Sequence, residues 1–331
     1  MSKPATIRDV ALFAQVSVGT VSNYLNNTKP IGAATRLKIE DAIERLDFVP
    51  NSAVRIVLGG RAPVIAFLVP DAANPFFAEV ARGIEDIAVK QGQVVVICNT
   101  EGDAEREKHY ARALSEMRVH AVLAVASSTT SRTLSTLRRT GAHVVTLGDM
   151  HDSMDISSVT LDDERGGYLA MAHLLELGHR SVAFFGGAGA TPQIADRIAG
   201  CWHALHDSGV PRSALHRFDA PSSRPSDRLA VAAEILDHSP SITGVVCGND
   251  LLAMAVETVA LRRGLPIPGG VAIVGFDDIE NALNAPVPLT TIRQPQYELG
   301  RTAALLANND RSVDHVTFDP TLIVRASTTG H

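Results

Sequence analysis

The chain has 331 residues, of which 45% are hydrophobic, 20% charged and 5% aromatic, and its formal net charge is −6. These values are those of a globular protein with room for two or three folding units, and they exclude a disordered or fibrous chain. No apolar run reaches the length of a membrane span, and the start lacks the apolar core of a secretory signal.

Cysteine usage and the distribution of charge bear on compartment and partners. Cys98, Cys201 and Cys247 are far apart, odd in number and embedded in apolar segments, which is typical of reduced thiols. We therefore expect a cytoplasmic protein with no metal site and no cofactor. Residues 1–60 carry seven basic and five acidic side chains, a net charge of +2, which leaves −8 on the remainder. A basic end on an acidic body suits contact with a polyanion at that end, although a solvated charged surface gives the same totals.

Residues 6–26 predict two short helices joined by a tight corner. Thr6 can cap the first helix with Asp9 three residues later, and Ser17 can cap the second. Apolar residues recur at helical spacing, and they are Ile7, Val10, Ala11 and Ala14 on the first helix and Val21 and Leu25 on the second. Such a helix-turn-helix places the start of its second helix in the major groove of DNA, whereas a helical corner within a larger bundle is the alternative.

The candidate DNA contacts are small or polar residues on this pair of helices. They are Thr6, Ser17, Val18, Gly19, Thr20, Ser22, Asn23 and Asn26. Hydroxyl groups at Ser17, Thr20 and Ser22 suit phosphate contacts, which position a protein without reading sequence. Val18 suits a thymine methyl group and Asn23 an adenine edge, so these two are the candidates for base recognition.

A third helix and a linker follow the pair. The third helix is expected at about 33–46, capped by Gly32, and its residues available for burial are Leu37, Ile39, Ala42, Ile43 and Leu46. In the linker, Asn51 or Ser52 can start a short helix that Gly59 and Gly60 end. A helix of two turns is marginal in water, so it needs an external partner; an ordinary interdomain linker is the alternative.

The pattern Val-Ser-x-x-Thr-Val-Ser-x-x-Leu-Asn at 16–26, with Val-Pro-Asn at 49–51, resembles the DNA-binding headpiece of the LacI/GalR family of bacterial transcription regulators. The resemblance implies that the linker helix forms on DNA, pairs with its dimer mate and inserts an apolar side chain into the minor groove. It adds Asn51 and Arg55 to the candidate DNA contacts. Either Val57, at the position where the family usually has leucine, or Leu58 is the inserted side chain.

From Pro63 the chain alternates between apolar strands and helices. The predicted strands are 64–69, 94–97, 121–125 and 144–147 in a first series and 182–185, 244–247 and 271–274 in a second. Continuous apolar strands between helices indicate a parallel sheet covered on both faces. Two such series therefore predict two α/β lobes, and ligands of open α/β sheets bind at the carboxyl ends of the strands.

This region resembles the periplasmic sugar-binding-protein-like lobes of the same family. The matching pieces are Asn74–Phe77, Gly178–Arg180, Asp196–Gly200, Gly248–Asp250, Gly275–Asp278 and Thr290–Pro295, with Arg325–Ser327 matching the final strand. The fold class implied is α/β, with an all-α helix-turn-helix headpiece (1–49), a hinge and linker (50–62) and a two-lobed core with parallel sheets (63–331). The chain is expected to cross between lobes near Leu161, Thr291 and Phe318, which gives an N-lobe of 63–161 and 292–317 and a C-lobe of 162–291 and 318–331.

Polar and aromatic residues at the strand ends are the candidate ligand contacts. They are Asp71, Asn74, Phe76, Phe77, Asp149, Arg197, Asn249 and Asp277. Carboxylates accept paired hydrogen bonds from vicinal hydroxyls, arginine donates a planar fork, and aromatic faces cover a sugar ring or a base. By resemblance, Arg197, Asn249 and Asp277 match frequent ligand contacts of the family and Phe77 its stacking position. The family's aromatic platform near position 220 is replaced by Ala220, with Phe218 nearby.

Structural roles compete with some of these assignments. Asn74 could only make a turn before Pro75, and Asp250 and Asp278 could cap the helices that they precede. His203 and His206 have the spacing of a surface pair rather than a metal site. The glycine-rich segment 186–190 lacks the third glycine of a dinucleotide fingerprint and the lysine of a P-loop, and no Gly-x-Ser-x-Gly elbow is present.

The expected function is that of a ligand-responsive transcriptional repressor and not of an enzyme. It would bind a pseudo-palindromic operator DNA as a homodimer, with no membrane partner, and be released by a small carbohydrate or polyol effector. The short segment after the last strand favours a dimer over a tetramer. A corepressor-dependent regulator that senses a nucleobase-like ligand uses the same parts, and an α/β enzyme or a transport binding protein is the remaining alternative.

Overall fold

The computed structural model describes residues 5–26, 29–48, 60–126, 130–148, 155–187, 191–238, 241–309 and 313–330. The chain divides into two compact units, Met1–Ala62 and Pro63–His331. The expected hinge helix lies outside the described residues, together with its candidate contacts Asn51, Arg55, Val57 and Leu58. Asp149 also lies outside them.

The first unit contains three helices, α1 (Ile7–Phe13), α2 (Val18–Asn26) and α3 (Ala33–Arg45). Val10, Val21 and Ile39, one from each helix, have no exposed surface and form the centre of its core. Leu37, expected to be available for burial, is instead 66% exposed. It lies on the opposite side of α3 from the buried pair Ile39 and Ala42, so the apolar face of this helix is narrower than its sequence indicated.

The predicted caps of the headpiece are confirmed. The Thr6 backbone N–H and hydroxyl donate to the Asp9 carboxylate at 2.8 and 2.6 Å. The Ser17 hydroxyl accepts from the Thr20 N–H at 3.0 Å. Between the two helices Gln15 adopts a left-handed backbone with φ of 55°, which makes the corner.

The second unit contains two six-stranded sheets. The first has the order β11-β5-β4-β3-β1-β2 and consists of β1 (Ala62–Val69), β2 (Val94–Asn99), β3 (Val119–Val125), β4 (His143–Leu147), β5 (Ser157–Leu161) and β11 (His315–Phe318). The second has the order β12-β10-β9-β8-β6-β7 and consists of β6 (Val182–Gly186), β7 (Leu215–Asp219), β8 (Gly244–Cys247), β9 (Ala272–Asp277), β10 (Thr290–Arg293) and β12 (Thr321–Ile323). Every pair in the second sheet is parallel except β10 with β12.

Helices cover both sheets. They are α4 (Pro75–Ala88), α5 (Ala104–Met117), α6 (Thr130–Arg139), α7 (Asp163–Glu176), α8 (Pro192–Asp207), α9 (Pro225–Asp237), α10 (Asp250–Arg262), α11 (Glu280–Leu283), α12 (Gln296–Ala307) and α13 (Ala326–Thr329), with 3-10 turns at Val89–Gln91 and Arg212–Ala214. Each sheet has apolar clusters on its two faces. The two-lobed α/β fold with parallel sheets, preceded by a helical headpiece, is therefore confirmed.

The chain passes three times between the two lobes. The passages lie between β5 and α7, between β10 and α12, and between β11 and β12. The expectation that 325–327 forms the final strand is wrong, because the strand lies at Thr321–Ile323 and Ala326–Thr329 is helical. The Ser327 hydroxyl explains the difference, since it accepts from the Thr290 N–H at 2.8 Å and donates to the Ile273 carbonyl at 2.6 Å in place of a strand ladder.

Candidate functional site

The carboxyl ends of both sheets face a cavity of about 180 Å³ between the two lobes. Of the eight predicted ligand contacts, seven line it: Asp71, Asn74, Phe76, Phe77, Arg197, Asn249 and Asp277. The eighth, Asp149, lies outside the described residues. Strand-end reasoning therefore brought together residues that are as many as 206 positions apart in the chain, from Asp71 to Asp277.

Arg197 is held on three sides within the C-lobe. Its Nε donates to Asp163 Oδ1 at 2.7 Å and its Nη1 to the Gly248 carbonyl at 2.6 Å. Its guanidinium carbon lies 3.5 Å from the ring centroid of Phe276. Burial raises the pKa of Asp163, and the positive charge of Arg197 opposes that rise. The buried ion pair gives the guanidinium one orientation at the wall of the cavity.

Two glycines allow the helices that carry this ion pair to approach closely. A β-carbon at Gly167 on α7 would lie 1.9 Å from the Arg197 carbonyl oxygen. A β-carbon at Gly200 on α8 would lie 1.8 Å from the Glu164 carbonyl oxygen. At both points the backbones of α7 and α8 are in direct contact, so only glycine fits. The distance between Asp163 and Arg197 therefore depends on these two glycines.

Asp277 ends β9 and is fully enclosed. Gln294 Nε2 donates to its Oδ1 at 2.7 Å, and Asn74 Nδ2 approaches its Oδ2 at 3.4 Å from the opposite lobe. Burial raises the pKa of Asp277 to about 7, while Arg197 and the two amide hydrogen bonds oppose the rise. This carboxyl can therefore be neutral or ionised near neutral pH, as a donor or as an acceptor.

The raised pKa of Asp277 makes the stability of the core pH-dependent. In the unfolded chain this carboxyl ionises near 3.8, whereas in the folded protein it stays protonated up to about pH 7. Between these values the folded state holds the additional proton, so this group's contribution to the free energy of unfolding falls as the pH rises. Asp277→Asn removes the dependence. The stability of this variant relative to the wild type should rise between about pH 5 and 7 and stay constant above pH 7. The rise should be at most about tenfold in the unfolding equilibrium constant per pH unit.

Urea unfolding of the core at several pH values measures this difference. Asp71→Asn is the matched control, because Asp71 lines the same cavity but lies nearer its surface. A stability difference for Asp277→Asn that stays constant from pH 5 to 8 would show that Asp277 is ionised throughout.

Hydrogen bonds decide the capping alternatives at Asn74 and Asp250, and Asp278 does not cap the helix after it, whose N-cap is Ile279. Asn249 caps α10, since its Oδ1 accepts from the Leu252 N–H at 2.9 Å. Asp250 instead accepts from the Ile279 N–H at 2.9 Å and from Thr291 Oγ1 at 2.6 Å, and it does not cap. Asn74 caps α4 through the Phe76 N–H at 3.0 Å and also reaches Asp277, so the turn and the site use the same side chain.

The aromatic wall of the cavity comes from one lobe. The rings of Phe76 and Phe77 meet edge to face, with centroids 5.1 Å apart, and Phe76 packs against the cores of both lobes. Phe218 instead packs near His238 and is not among the lining residues. Ala220 is buried, and Ser223 lines that side of the cavity. This side of the cavity is therefore polar, whereas the family pattern has an aromatic platform near position 220.

Sequence reasoning missed five polar residues of the cavity, Asp163, Thr191, Gln193, Ser223 and Gln294. Gln193 lies in the first turn of α8 in the C-lobe, and its Nε2 donates to the Leu147 carbonyl of the N-lobe at 3.3 Å. A β-carbon at Gly148, where φ is 101°, would lie 1.9 Å from that nitrogen. Gln193 Oε1 is buried and has no hydrogen-bond partner among the described residues. Gln294 lies within Thr290–Pro295, a segment that matches the family pattern, and this match was the only indication in the sequence that Gln294 belongs to the site.

The described candidate DNA contacts lie on α2 and just before it, except Thr6, which caps α1. Val18 is 42% exposed, and a side chain at Gly19 would approach only the Ser17 hydroxyl, at 3.6 Å. The hydroxyls of Ser17 and Thr20 lie 2.8 Å apart. Ser22 and Asn23 are half-buried, Asn26 is the last residue of α2, and Thr6 is exposed beside Asp9.

Other features leave the cleft as the principal site. Cys98, Cys201 and Cys247 are buried free thiols, and burial raises the pKa of each. The His203 ring contacts Glu164 at 2.7 Å. In the parts of the chain that the structure describes, no helix combines the length and apolarity needed to cross a bilayer.

Two family models cover most of the chain. The model of bacterial regulatory proteins of the lacI family matches residues 6–51. The model of periplasmic binding proteins and the sugar-binding domain of the LacI family matches residues 62–318. The chain belongs to the LacI family.

Two of three relatives of this LacI-family protein match it over nearly its whole length, and the third matches most of it. The HTH-type transcriptional repressor PurR of Aliivibrio fischeri is 34% identical over 334 residues, with 98% of each chain covered. The transcriptional regulator CelR in complex with cellobiose is 26% identical, with a TM-score of 0.71 and 98% and 99% of the two chains covered. A LacI-family regulator of Enterococcus faecium with bound ribose is 31% identical, with a TM-score of 0.71 over 79% of this chain and 97% of its own. The chain is a LacI-type DNA-binding transcriptional repressor.

Proposed function

We propose that this repressor binds a pseudo-palindromic operator as a homodimer and is released from it by a small sugar or polyol in the cleft. The observation that carries the effector class is that Arg197, Asp277 and the rings of Phe76 and Phe77 all line one cavity. A guanidinium donates to sugar hydroxyls, a carboxylate accepts from them, and an aromatic ring covers the apolar face of a pyranose or furanose.

Gln193 adds to the argument for a hydroxylated effector. Its buried Oε1 has no partner among the described residues, and an unsatisfied buried acceptor costs about 1–3 kcal/mol. A hydroxyl at this point would donate to it and still accept from a neighbouring donor. The cellobiose and ribose carried by the two relatives at 26% and 31% identity support the same class.

Exposed apolar side chains support the homodimer. β2 is an edge strand of the N-lobe sheet, and Val94, Val96 and Ile97 on it are 58%, 40% and 47% exposed. An open apolar strand edge invites pairing with another chain. Leu283 of the C-lobe is 55% exposed as well, so both lobes offer surface to a second copy. A symmetric dimer of this kind places two headpieces on two half-sites.

In the proposed DNA complex α2 enters the major groove and the linker segment enters the minor groove. Ser17, Thr20 and Ser22 contact phosphates, Val18 and Asn23 contact base edges, and Val57 or Leu58 inserts between base steps. Effector binding changes the orientation of the two lobes relative to each other. This movement in turn changes whether the linkers of the two protomers can pair on DNA. Such couplings are typically about 1–3 kcal/mol, which is roughly 5- to 150-fold in DNA affinity. A regulator acting on DNA in this way works in the bacterial cytoplasm.

We expect Asn23→Ala to weaken operator binding and relax selectivity at one base pair of each half-site. A good side-chain contact to a base edge is worth about 1–3 kcal/mol of discrimination, or roughly 5- to 150-fold. Leu37→Ala, at an exposed position on α3, is the control. Fluorescence anisotropy with the operator and with single-base variants measures both effects. Equal losses on all sequences would assign Asn23 to the phosphate backbone instead.

Selection from random duplex DNA tests the operator proposal. The full-length protein should enrich a palindrome with two half-sites. If it shows no sequence preference even at low salt, the proposed operator recognition is wrong, because non-specific binding alone would remain.

A nucleobase-like corepressor is the second candidate, and Asp277 is the observation that favours it. With a pKa near 7, its neutral carboxyl can donate to a ring nitrogen. A thermal-shift panel of D-ribose, cellobiose, polyols and nucleobases separates the two, since a hundredfold excess over Kd stabilises by about 2.7 kcal/mol. A stabilising sugar that weakens operator binding supports the proposal. A stabilising nucleobase that strengthens it supports the corepressor.

A further inference from the structure

The backbone that presents Asp277 to the cavity is held in an unusual conformation. Asp277 has φ of 115° and Asp278 has φ of 57°, so two consecutive residues with side chains lie in the left-handed region. Residues other than glycine seldom adopt this conformation, and two consecutive left-handed residues persist only where surrounding contacts enforce the conformation. The direction of the Asp277 carboxyl therefore depends on what fixes Asp278.

Two arginines fix the Asp278 carboxylate. Arg325 Nη2 donates to its Oδ1 and Arg293 Nε to its Oδ2, each at 2.6 Å. The Arg325 side chain is only 13% exposed and that of Asp278 8%, whereas the Arg293 side chain is 55% exposed. Water screens the Arg293 pair more strongly, so the Arg325 pair contributes most of the restraint.

Arg325 is itself anchored to the start of β10. Its Nη1 donates to the Leu289 carbonyl at 2.8 Å, and its backbone N–H donates to Thr290 Oγ1 at 2.8 Å. Its guanidinium thus joins the end of β9 to the start of β10 through side-chain and main-chain contacts. Arg325 is not among the residues that line the cavity, so any effect it has on a ligand passes through Asp278 and Asp277.

We propose that Arg325 is a positioning residue of the effector site, which holds the left-handed turn at Asp278 and thereby directs the Asp277 carboxyl into the cleft. The proposal rests on the proposed effector function for its consequence in binding. The segment β12–α13 then contributes to effector affinity without contacting the effector. Gln294 and Gln296 complete the arrangement, because they donate to Asp277 Oδ1 and to its carbonyl oxygen at 2.7 and 2.6 Å.

The first test needs no effector. Carboxyl-carbon NMR of protein labelled with 13C-aspartate follows the titration of Asp277, which is assigned with Asp277→Asn. In Arg325→Met the carboxyl should leave its enclosed position and titrate closer to the ordinary 3.8. Arg325→Lys keeps one donor and the charge, and should restore part of the shift. Arg293→Met is the matched control, which removes the exposed partner of the same carboxylate and should titrate as the wild type.

The second test measures affinity for D-ribose and cellobiose by calorimetry. Arg325→Met should weaken binding of whichever sugar the wild type binds by about tenfold or more, because a charged hydrogen bond loses its geometry. Arg325→Lys should recover part of this affinity. Asp278→Ala, which removes the carboxylate and lacks the tolerance of asparagine for the left-handed region, should reproduce both changes and replaces Arg325→Met if that variant fails to fold. An unchanged Asp277 titration in folded Arg325→Met or Asp278→Ala overturns the proposal. If the wild type binds neither sugar, the proposed sugar effector is in doubt while the titration still decides the role of Arg325.

Discussion

Replacing Arg197 with alanine should lower both the stability of the core and its affinity for an effector. The change leaves Asp163, with a side chain only 6% exposed, as a buried carboxyl without its charged partner. Removing one partner of a buried ion pair costs about 3–5 kcal/mol. The lost donor to the effector should weaken binding by about 10- to 100-fold, in line with hydrogen bonds to charged groups.

A double variant separates these two losses. Arg197→Met with Asp163→Leu replaces the pair by apolar groups of similar size, which is often neutral or stabilising. We expect unfolding in urea to return toward the wild type while calorimetric affinity for D-ribose or cellobiose stays lost. If the double variant binds as the wild type does, Arg197 serves the fold alone.

The second large effect concerns the contact between α7 and α8. Gly167→Ala places a methyl group against the Arg197 carbonyl, which cannot move without shifting α8. Overpacking of this kind costs about 1–3 kcal/mol, and each kcal/mol lowers the Tm of a domain of this size by about 2–4 °C. Because the helix that moves carries Arg197, effector affinity should fall as well.

Two further glycines provide the comparison. Gly200→Ala meets the Glu164 carbonyl, one turn away, and should destabilise to a similar degree. Gly187→Ala adds its methyl group where no heavy atom of a non-adjacent described residue lies within 4 Å, and its Tm should stay close to that of the wild type. Equal Tm values for all three variants, measured by calorimetry, would show that the helices can separate freely.

The sequence predicted most apolar strands of the core well, because a continuous apolar run is typical of a strand that is buried on both faces. β2 was also predicted as a strand of a covered sheet, but it lies at the edge, where Val94, Val96 and Ile97 are exposed. The sequence did not predict β5, although that strand lies between β4 and β11 in the sheet. The segment carries Ser157, Ser158 and Thr160, and these polar residues are buried because they bond across to β11, as Ser158 does to His315 at 2.8 Å. Partners 157 residues distant give no local signal.

In the candidate site, too, residues with a local signal in the sequence were predicted and residues that depend on distant contacts were not. Asp277, at the end of β9, was accessible to reasoning from strand polarity, whereas Arg197 lies within α8 and was supported by its match to the family pattern. Gln193 and Asp163 were not, because Gln193 contacts a strand of the other lobe and Asp163 contacts the neighbouring helix of its own lobe. The restraint of Asp278 by Arg325 depends on a contact 47 positions apart, between the end of β9 and the chain's last segment.

The threefold passage of the chain between its sheets limits how this protein can be recombined with relatives. The N-lobe sheet needs β11, which comes after the whole of α7 to α12 in the chain. A hybrid joined near residue 62 exchanges one compact unit for another and keeps both sheets from a single parent. A hybrid joined at residue 162 instead combines β1–β5 of one parent with β11 of the other in one sheet. The headpiece and the two-lobed core can therefore each be exchanged whole, whereas one lobe cannot be exchanged by a single join without mixing strands of two parents in one sheet.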